Sequence, residues 1–159
     1  MEVIKDFLEE ETFKVLQKEI TDFNKIPFYF RPYVASEEEV DKHFYFTHTI
    51  YEDHRPNSDL FTLLTPLLKK LEVKSLVRIK LNLYPRTEKL IYHNSHKDYD
   101  FKHKGCLYSL NSCDGFTVIG DNKVPSIQNQ ALIFDPSMTH NSTTCTNEKV
   151  RMNINFNYF

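Results

Sequence analysis

Alternation dominates the second half of the chain. In "VRIKLNLY", Val77, Ile79, Leu81 and Leu83 take turns with Arg78, Lys80, Asn82 and Tyr84, the period-two pattern of a strand with one apolar face. "KGCLYSLN", "GFTVIG", "ALIFD" and "VRMNINFNYF" follow, separated by Asp-Gly, Gly-Asp-Asn and Asp-Pro-Ser turns. The first 72 residues read differently. "DFLEEETFKVLQKEITDF" carries Phe13, Leu16 and Ile20 at helical spacing, with Glu9, Glu10 and Glu11 early and Lys14 and Lys18 late, as the helix dipole prefers. Ser36 and Glu39 form a capping-box pattern, and Ser58 is placed to cap "DLFTLLTPLLKKL", whose Leu64, Leu68 and Leu71 line one side and which Pro66 kinks or restarts. "IPFYFRPY" and "HFYFTHTIY" are strand-like. The pattern predicts a mainly β protein with N-terminal helices: a sandwich or jelly roll with the helices packed outside one sheet. A single domain over 1–159 is expected, with 1–72 as helical support and 73–159 as the β core.

The last predicted strand has two unlike faces. Met152, Ile154, Phe156 and Tyr158 form one; Arg151, Asn153, Asn155 and Asn157 form the other. A polar face of this kind either meets water, as in many one-sided sheets, or lines a polar cavity.

Composition supports the β reading. A chain of 159 residues encloses a core without disulfides. With 13 Phe and 9 Tyr against no Trp, its aromatics favour strands. A net charge of -2 and a pI near 6.4 give no basic footprint for nucleic acid. Cys106, Cys113 and Cys145 have no metal-finger spacing, and the acidic start "MEVIKDFLEEE" is unlike a secretory signal, so a reduced cytoplasmic setting is expected. No apolar run reaches the length of a membrane span.

Candidate chemistry gathers around "YHNSHKDYDF". His96 and Asp98 are two apart, which in an extended segment puts both on one face, close enough for one ion. His140, in "PSMTHNST", is the natural third ligand. Two histidines and one carboxylate make the facial set that holds Fe(II) and leaves positions open. Alone, a His-x-Asp pair is also a common surface motif. Arg151 adds weight, because its guanidinium fork holds a carboxylate through two parallel hydrogen bonds; its plainer alternative is an ion pair with Glu148.

This order of residues, His96-x-Asp98, His140 and then Arg151 opening "RMNINFNYF", with "NLYPR" upstream and "GCLYSLN" between, resembles the 2-oxoglutarate and Fe(II)-dependent oxygenases, in particular the prolyl 4-hydroxylase-like group. The pieces "DFLEEETFKVLQ" and "HFYFTHTIYEDHRPNSDLF" resemble small phage-encoded members, which would place the protein in a host cytoplasm. The resemblance implies a double-stranded β-helix core. It makes His96, Asp98 and His140 the catalytic iron ligands and Arg151 the partner of the 2-oxoglutarate distal carboxylate. Tyr84 would hydrogen-bond that cosubstrate, Asn82 would support it, and Asn153 and Ser109 would lie on the inner face. The implied reaction uses Fe(II), 2-oxoglutarate and O2 to hydroxylate a C–H bond, releasing succinate and CO2. The expected substrate is a peptide, protein or small molecule, with a prolyl residue the first candidate. His93 and His103 are expected at the rim and Cys106 in the core.

Three rivals remain. Nucleic-acid dealkylases of the superfamily share the Asn-x-Tyr of "NLY", but carry a second arginine six positions after the first, where this chain has Asn157. A non-catalytic jelly-roll binding module would be expected to have a broken ligand set, whereas all four positions are filled. A zinc or nickel cupin-like enzyme would have no need of Arg151. With the sequence ending at Phe159, directly after the last predicted strand, substrate capture is expected from the N-terminal half, in loops around 31–43 and 51–58.

Overall fold

A computed structural model describes residues 1–35 and 43–159. In chain order the described elements are β1 (Glu2–Ile4), α1 (Glu10–Ile20), β2 (Tyr29–Arg31), β3 (Tyr45–Glu52), β4 (Arg55–Pro56), α2 (Leu60–Leu63), α3 (Thr65–Lys70), β5 (Leu76–Pro85), β6 (Lys104–Ser109), β7 (Phe116–Ile119), β8 (Asn122–Pro125), β9 (Gln130–Phe134), β10 (His140–Ser142) and β11 (Val150–Tyr158). The larger sheet runs β1-β9-β6-β11-β5-β3-β2, with β4 beside β3; the smaller runs β10-β7-β8. Antiparallel bridges at Tyr92–Thr143 and His96–His140 attach the 92–96 segment to the outer side of β10. Two antiparallel sheets face each other with helices behind the larger one. This is the jelly roll that the alternation predicts.

The outward face of the larger sheet is apolar. Ile79 and Leu81 of β5, Cys106 and Tyr108 of β6, and Met152, Ile154, Phe156 and Tyr158 of β11 share one core with Phe13, Leu16 and Ile20 of α1 and with Leu64, Leu67 and Leu71. Burying each large side chain contributes about 1.5–3 kcal/mol, so the three α1 residues suffice to dock that helix. Pro66 restarts rather than kinks its segment, sitting in the first turn of α3. Ser58 Oγ accepts the Leu60 N–H at 3.2 Å, close to the expected cap. The Ser36–Glu39 pattern lies outside the described residues. Residues 1–72 also give β1 to β4 to the larger sheet.

Between the sheets the filling changes. A small apolar group of Ile119, Val124, Leu132 and Phe134 occupies one part of the interior. The rest is polar, because β11 turns Arg151, Asn153, Asn155 and Asn157 inward, opposite Tyr84, Asn82, Lys80 and Arg78 of β5. All four β11 residues are buried, Asn157 completely. The polar face therefore does not meet water. It forms one wall of an internal site.

Candidate active site

His96 and His140 are brought together by backbone pairing. Each donates its N–H to the other's carbonyl at 2.9 Å, and the two rings stand 4.6 Å apart. The Asp98 N–H donates to the Pro136 carbonyl at 2.9 Å, which keeps the segment extended and turns the carboxylate to the same side as His96. The ligand atoms of His96, Asp98 and His140 lie within 4.8 Å of one another. Such spacing suits a single metal ion.

Hydrogen bonding prepares these side chains. Nδ1 of His140 faces the Met138 carbonyl at 2.9 Å, and Nδ1 of His96 faces the Asn94 carbonyl at 3.4 Å. Each Nδ1 therefore carries the proton, which leaves the Nε2 lone pair for a metal. Burial, followed by His140, pulls the pKa of His96 below its ordinary value and favours that neutral form. Burial opposes charge on Asp98 as well, but Arg78, His140, the Asn155 amide and Lys80 outweigh it and keep the carboxyl below the usual range. Asp98 accepts from Asn155 Nδ2 at 3.1 Å and pairs with Arg78 at 3.5 Å. The amide chain continues outward: Asn157 Nδ2 donates to Asn155 Oδ1 at 2.8 Å, and Asn157 Oδ1 meets His103 Nε2 at 2.6 Å.

Arg151 lies at the other end of the polar wall. It forms no pair with Glu148. Its Nε donates to Ser126 Oγ at 2.6 Å, and its two terminal nitrogens donate to the Thr143 carbonyl and Thr117 Oγ1, each at 2.9 Å. The guanidinium stacks 5.6 Å from the Tyr84 ring centroid and is 2% exposed. Burial lowers its pKa from the ordinary arginine value, and no carboxylate among the described residues counters this. A buried, hydrogen-bonded cation without an anion is costly, and a bound anion offsets that cost.

A polar cavity joins the two ends. His96, Asp98, His140, Arg151, Tyr84, Asn82, Asn153 and Asn155 line it, with Lys80, Tyr45, Thr117 and Ser142. Tyr84 is sandwiched between Tyr45, at 5.3 Å, and His93, at 5.1 Å. Its hydroxyl faces Ser142, and burial raises its pKa, keeping it a neutral donor. Asn82 Nδ2 donates to Asn153 Oδ1 at 2.9 Å, while the Asn82 oxygen is buried without a partner. Ser109 stands opposite Asn153 in register but does not line the cavity.

Two expectations need correction. His93 and His103 are not at the rim; they are 4% and 5% exposed. His93 is stacked on Tyr84 with Nδ1 2.8 Å from Ser142 Oγ, and burial, then Arg151, pushes its pKa down to about 3. Neither joins the triad. Cys106 is a core residue, as expected, 1% exposed. The residue six places after Arg151 is the buried Asn157, fixed by Asn155 and His103.

Several contributors left little trace in the sequence. Lys80, Asn155 and the Thr117, Ser126 and Ser142 hydroxyls are single polar residues whose positions depend on strand register. Gly115 is another. A Cβ there would stand 2.6 Å from the Thr144 carbonyl oxygen and 2.8 Å from Arg151 Cδ, so this glycine leaves room for the arginine. Gly115→Ala is expected to destabilise the fold by about 1–3 kcal/mol through overpacking, a shift that urea denaturation reads directly.

Of the two expected capture loops, residues 31–35 flank an open cleft that includes His96 and Asp98. Residues 56–58 instead border a separate, larger cleft around His48.

Structural comparison places this architecture. A prolyl hydroxylase in complex with a hypoxia-inducible factor oxygen-degradation-domain peptide, from Trichoplax adhaerens, aligns with TM-score 0.68 at 17% identity over 99% of this chain and 82% of its own. The chain has the fold of the 2-oxoglutarate and Fe(II) oxygenases. The non-heme α-ketoglutarate-dependent epimerase SnoN of nogalamycin biosynthesis aligns with TM-score 0.67 at 11% identity, covering 99% and 75% of the two chains. HygX from Streptomyces hygroscopicus, with nickel and 2-oxoglutarate bound, aligns with TM-score 0.64 at 12% identity, covering 98% and 81%. No family model matches the sequence, and neither does any curated protein. Among the described residues no helix is long and apolar enough to cross a membrane.

Proposed function

We propose that the protein is a 2-oxoglutarate- and Fe(II)-dependent dioxygenase that hydroxylates a C–H bond and releases succinate and CO2. One observation carries this reading: a single polar cavity holds a three-residue metal set at one end and, at the other, a buried guanidinium with no carboxylate partner among the described residues. A metal site alone would fit zinc or nickel chemistry equally well. The arginine adds a requirement for an anion.

In this reading His96, Asp98 and His140 hold Fe(II), which when bound supplies the activation of O2 that is coupled to decarboxylation of the cosubstrate. Arg151 holds the distal carboxylate of 2-oxoglutarate, fixed in place by Ser126, Thr117 and the Thr143 carbonyl. Tyr84 donates its hydroxyl to the same carboxylate. Leu107 and the paired Asn82 and Asn153 close the walls, limiting water around the reacting groups. The Trichoplax neighbour is a prolyl hydroxylase in complex with a peptide, which supports a prolyl residue in a peptide or protein as the first substrate to test.

Asn155 orients Asp98 through its N–H donor, so Asn155→Leu should weaken Co(II) binding by about 10–100-fold, as loss of an outer-shell partner does. A Co(II) titration followed by visible absorption checks this. The reaction itself is tested by incubating the protein with Fe(II), 2-oxoglutarate and O2 and measuring succinate alongside hydroxylated product. Equimolar succinate and product support the assignment. Tight zinc binding with no succinate released would contradict it.

A further inference from the structure

The polar wall contains a third charged group that neither the metal set nor the cosubstrate accounts for. Lys80 of β5 turns its half-buried side chain inward between the sheets. Its ammonium donates to the Tyr45 hydroxyl at 3.2 Å and lies 5.5 Å from the centroid of that ring. Among the described residues it enters no ion pair: Asp98 pairs with Arg78, and Lys97 with Asp100. A cation held off water by burial and satisfied by one neutral hydroxyl is poised for an anion.

Register decides whose anion that is. Along β5 and β11, Tyr84 stands beside Arg151, Asn82 beside Asn153 and Lys80 beside Asn155, the residue that holds Asp98. Four residues of strand separate Tyr84 from Lys80, about 13 Å at roughly 3.3 Å per residue. The carbon chain of a five-carbon diacid has four bonds of ~1.5 Å and spans no more than about 6 Å. Cosubstrate anchored on Arg151 therefore ends near the triad, short of the level of Lys80 on β5.

Lys80 also opens outward. Together with His96 and Asp98 it lines both the inner cavity and an outer cleft of about 300 Å³, the lower end of small-molecule sites. Arg31, Arg78 and Lys97 border that cleft against Glu52 and Asp98. With Lys80 the balance of these lining residues is positive, and more so once Asp98 is committed to a metal.

We propose that Lys80 is the specificity-determining residue for the prime substrate, which presents a carboxylate to its ammonium from the outer cleft. This rests on the oxygenase reading. A free amino or imino acid satisfies the requirement, as does a target residue with an acidic neighbour; a neutral prolyl segment does not.

The test uses the whole protein loaded with Mn(II) and saturating 2-oxoglutarate, without O2, and compares proton relaxation of acetate with that of acetamide. Wild type should relax acetate at least about 10-fold more strongly than acetamide. Lys80→Met, at Mn(II) and 2-oxoglutarate concentrations shown by titration to saturate that variant, should bring acetate down to the acetamide level, and Lys80→Arg should retain the preference. Equal relaxation of the two probes in wild type, or an acetate preference surviving Lys80→Met, overturns the proposal. Failure to bind Mn(II) or 2-oxoglutarate at all counts instead against the oxygenase reading. Succinate release then separates the sources, using L-proline against L-prolinamide, and a proline peptide with a glutamate neighbour against its glutamine counterpart. Equal stimulation by the neutral member of either pair also overturns it.

Discussion

Arg151→Leu is expected to raise the dissociation constant for 2-oxoglutarate by roughly 30-fold to several thousandfold, while leaving Fe(II) affinity within about twofold. The range follows from removing one partner of a buried charge pair, which costs about 2–5 kcal/mol. The split follows from position, because the guanidinium is held by Ser126, Thr117 and the Thr143 carbonyl and by no residue of the triad. Folding should not suffer in proportion. In the free protein the cation is buried with no anion beside it among the described residues, so a leucine removes a desolvation penalty as well as three hydrogen bonds. Arg151→Lys distinguishes charge from geometry, since it keeps the former and loses the fork. Calorimetric titration of the Mn(II)-loaded variants with 2-oxoglutarate measures both effects; an unchanged constant for Arg151→Leu would place the cosubstrate elsewhere.

Loss of a triad histidine should have the opposite signature. His140→Ala removes one of three ligand atoms from the cluster, so metal affinity should fall by more than the 10–100-fold typical of an outer-shell change. His96→Ala should also exceed that range, because each imidazole supplies one of the three ligand atoms. Neither substitution touches the backbone pairing, which uses main-chain groups only, so circular dichroism of metal-free protein should change little, while the urea midpoint should fall more for His140→Ala, whose buried ring packs on Phe134. Metal titration of each variant is the check. Retention of wild-type affinity in either would show that the cluster is not the binding site.

How much of this was legible in the sequence depends on the element. The two faces of β11 could be read directly from Arg151 to Tyr158, but whether the polar face met solvent or a cavity depended on what the smaller sheet covered. That sheet was the hardest part to see. β10 is His140-Asn141-Ser142, without a single aliphatic residue, and β8 is only four residues long. A strand whose inward side chains serve a polar site carries no hydrophobic alternation to announce it. His96 and Asp98 were visible as a local pair, whereas their meeting with His140 is a tertiary event that the resemblance supplied and the residues alone left open. His93 and His103 were misplaced because polar side chains default to the surface; here His93 is stacked on Tyr84 and His103 is bonded to Asn157. Lys80 alternated as expected, but nothing in one strand's sequence told an inward lysine from a solvated one.

The central claim is that the triad and Arg151 serve one ligand pair in one cavity. The most direct measurement is anaerobic visible absorption of the protein with Fe(II) and 2-oxoglutarate together. The account predicts a charge-transfer band that requires both additions, vanishes in His96→Ala and His140→Ala, and needs far more 2-oxoglutarate to form in Arg151→Leu. No band in wild type at saturating Fe(II) and 2-oxoglutarate, or a band unaffected by all three substitutions, would contradict it.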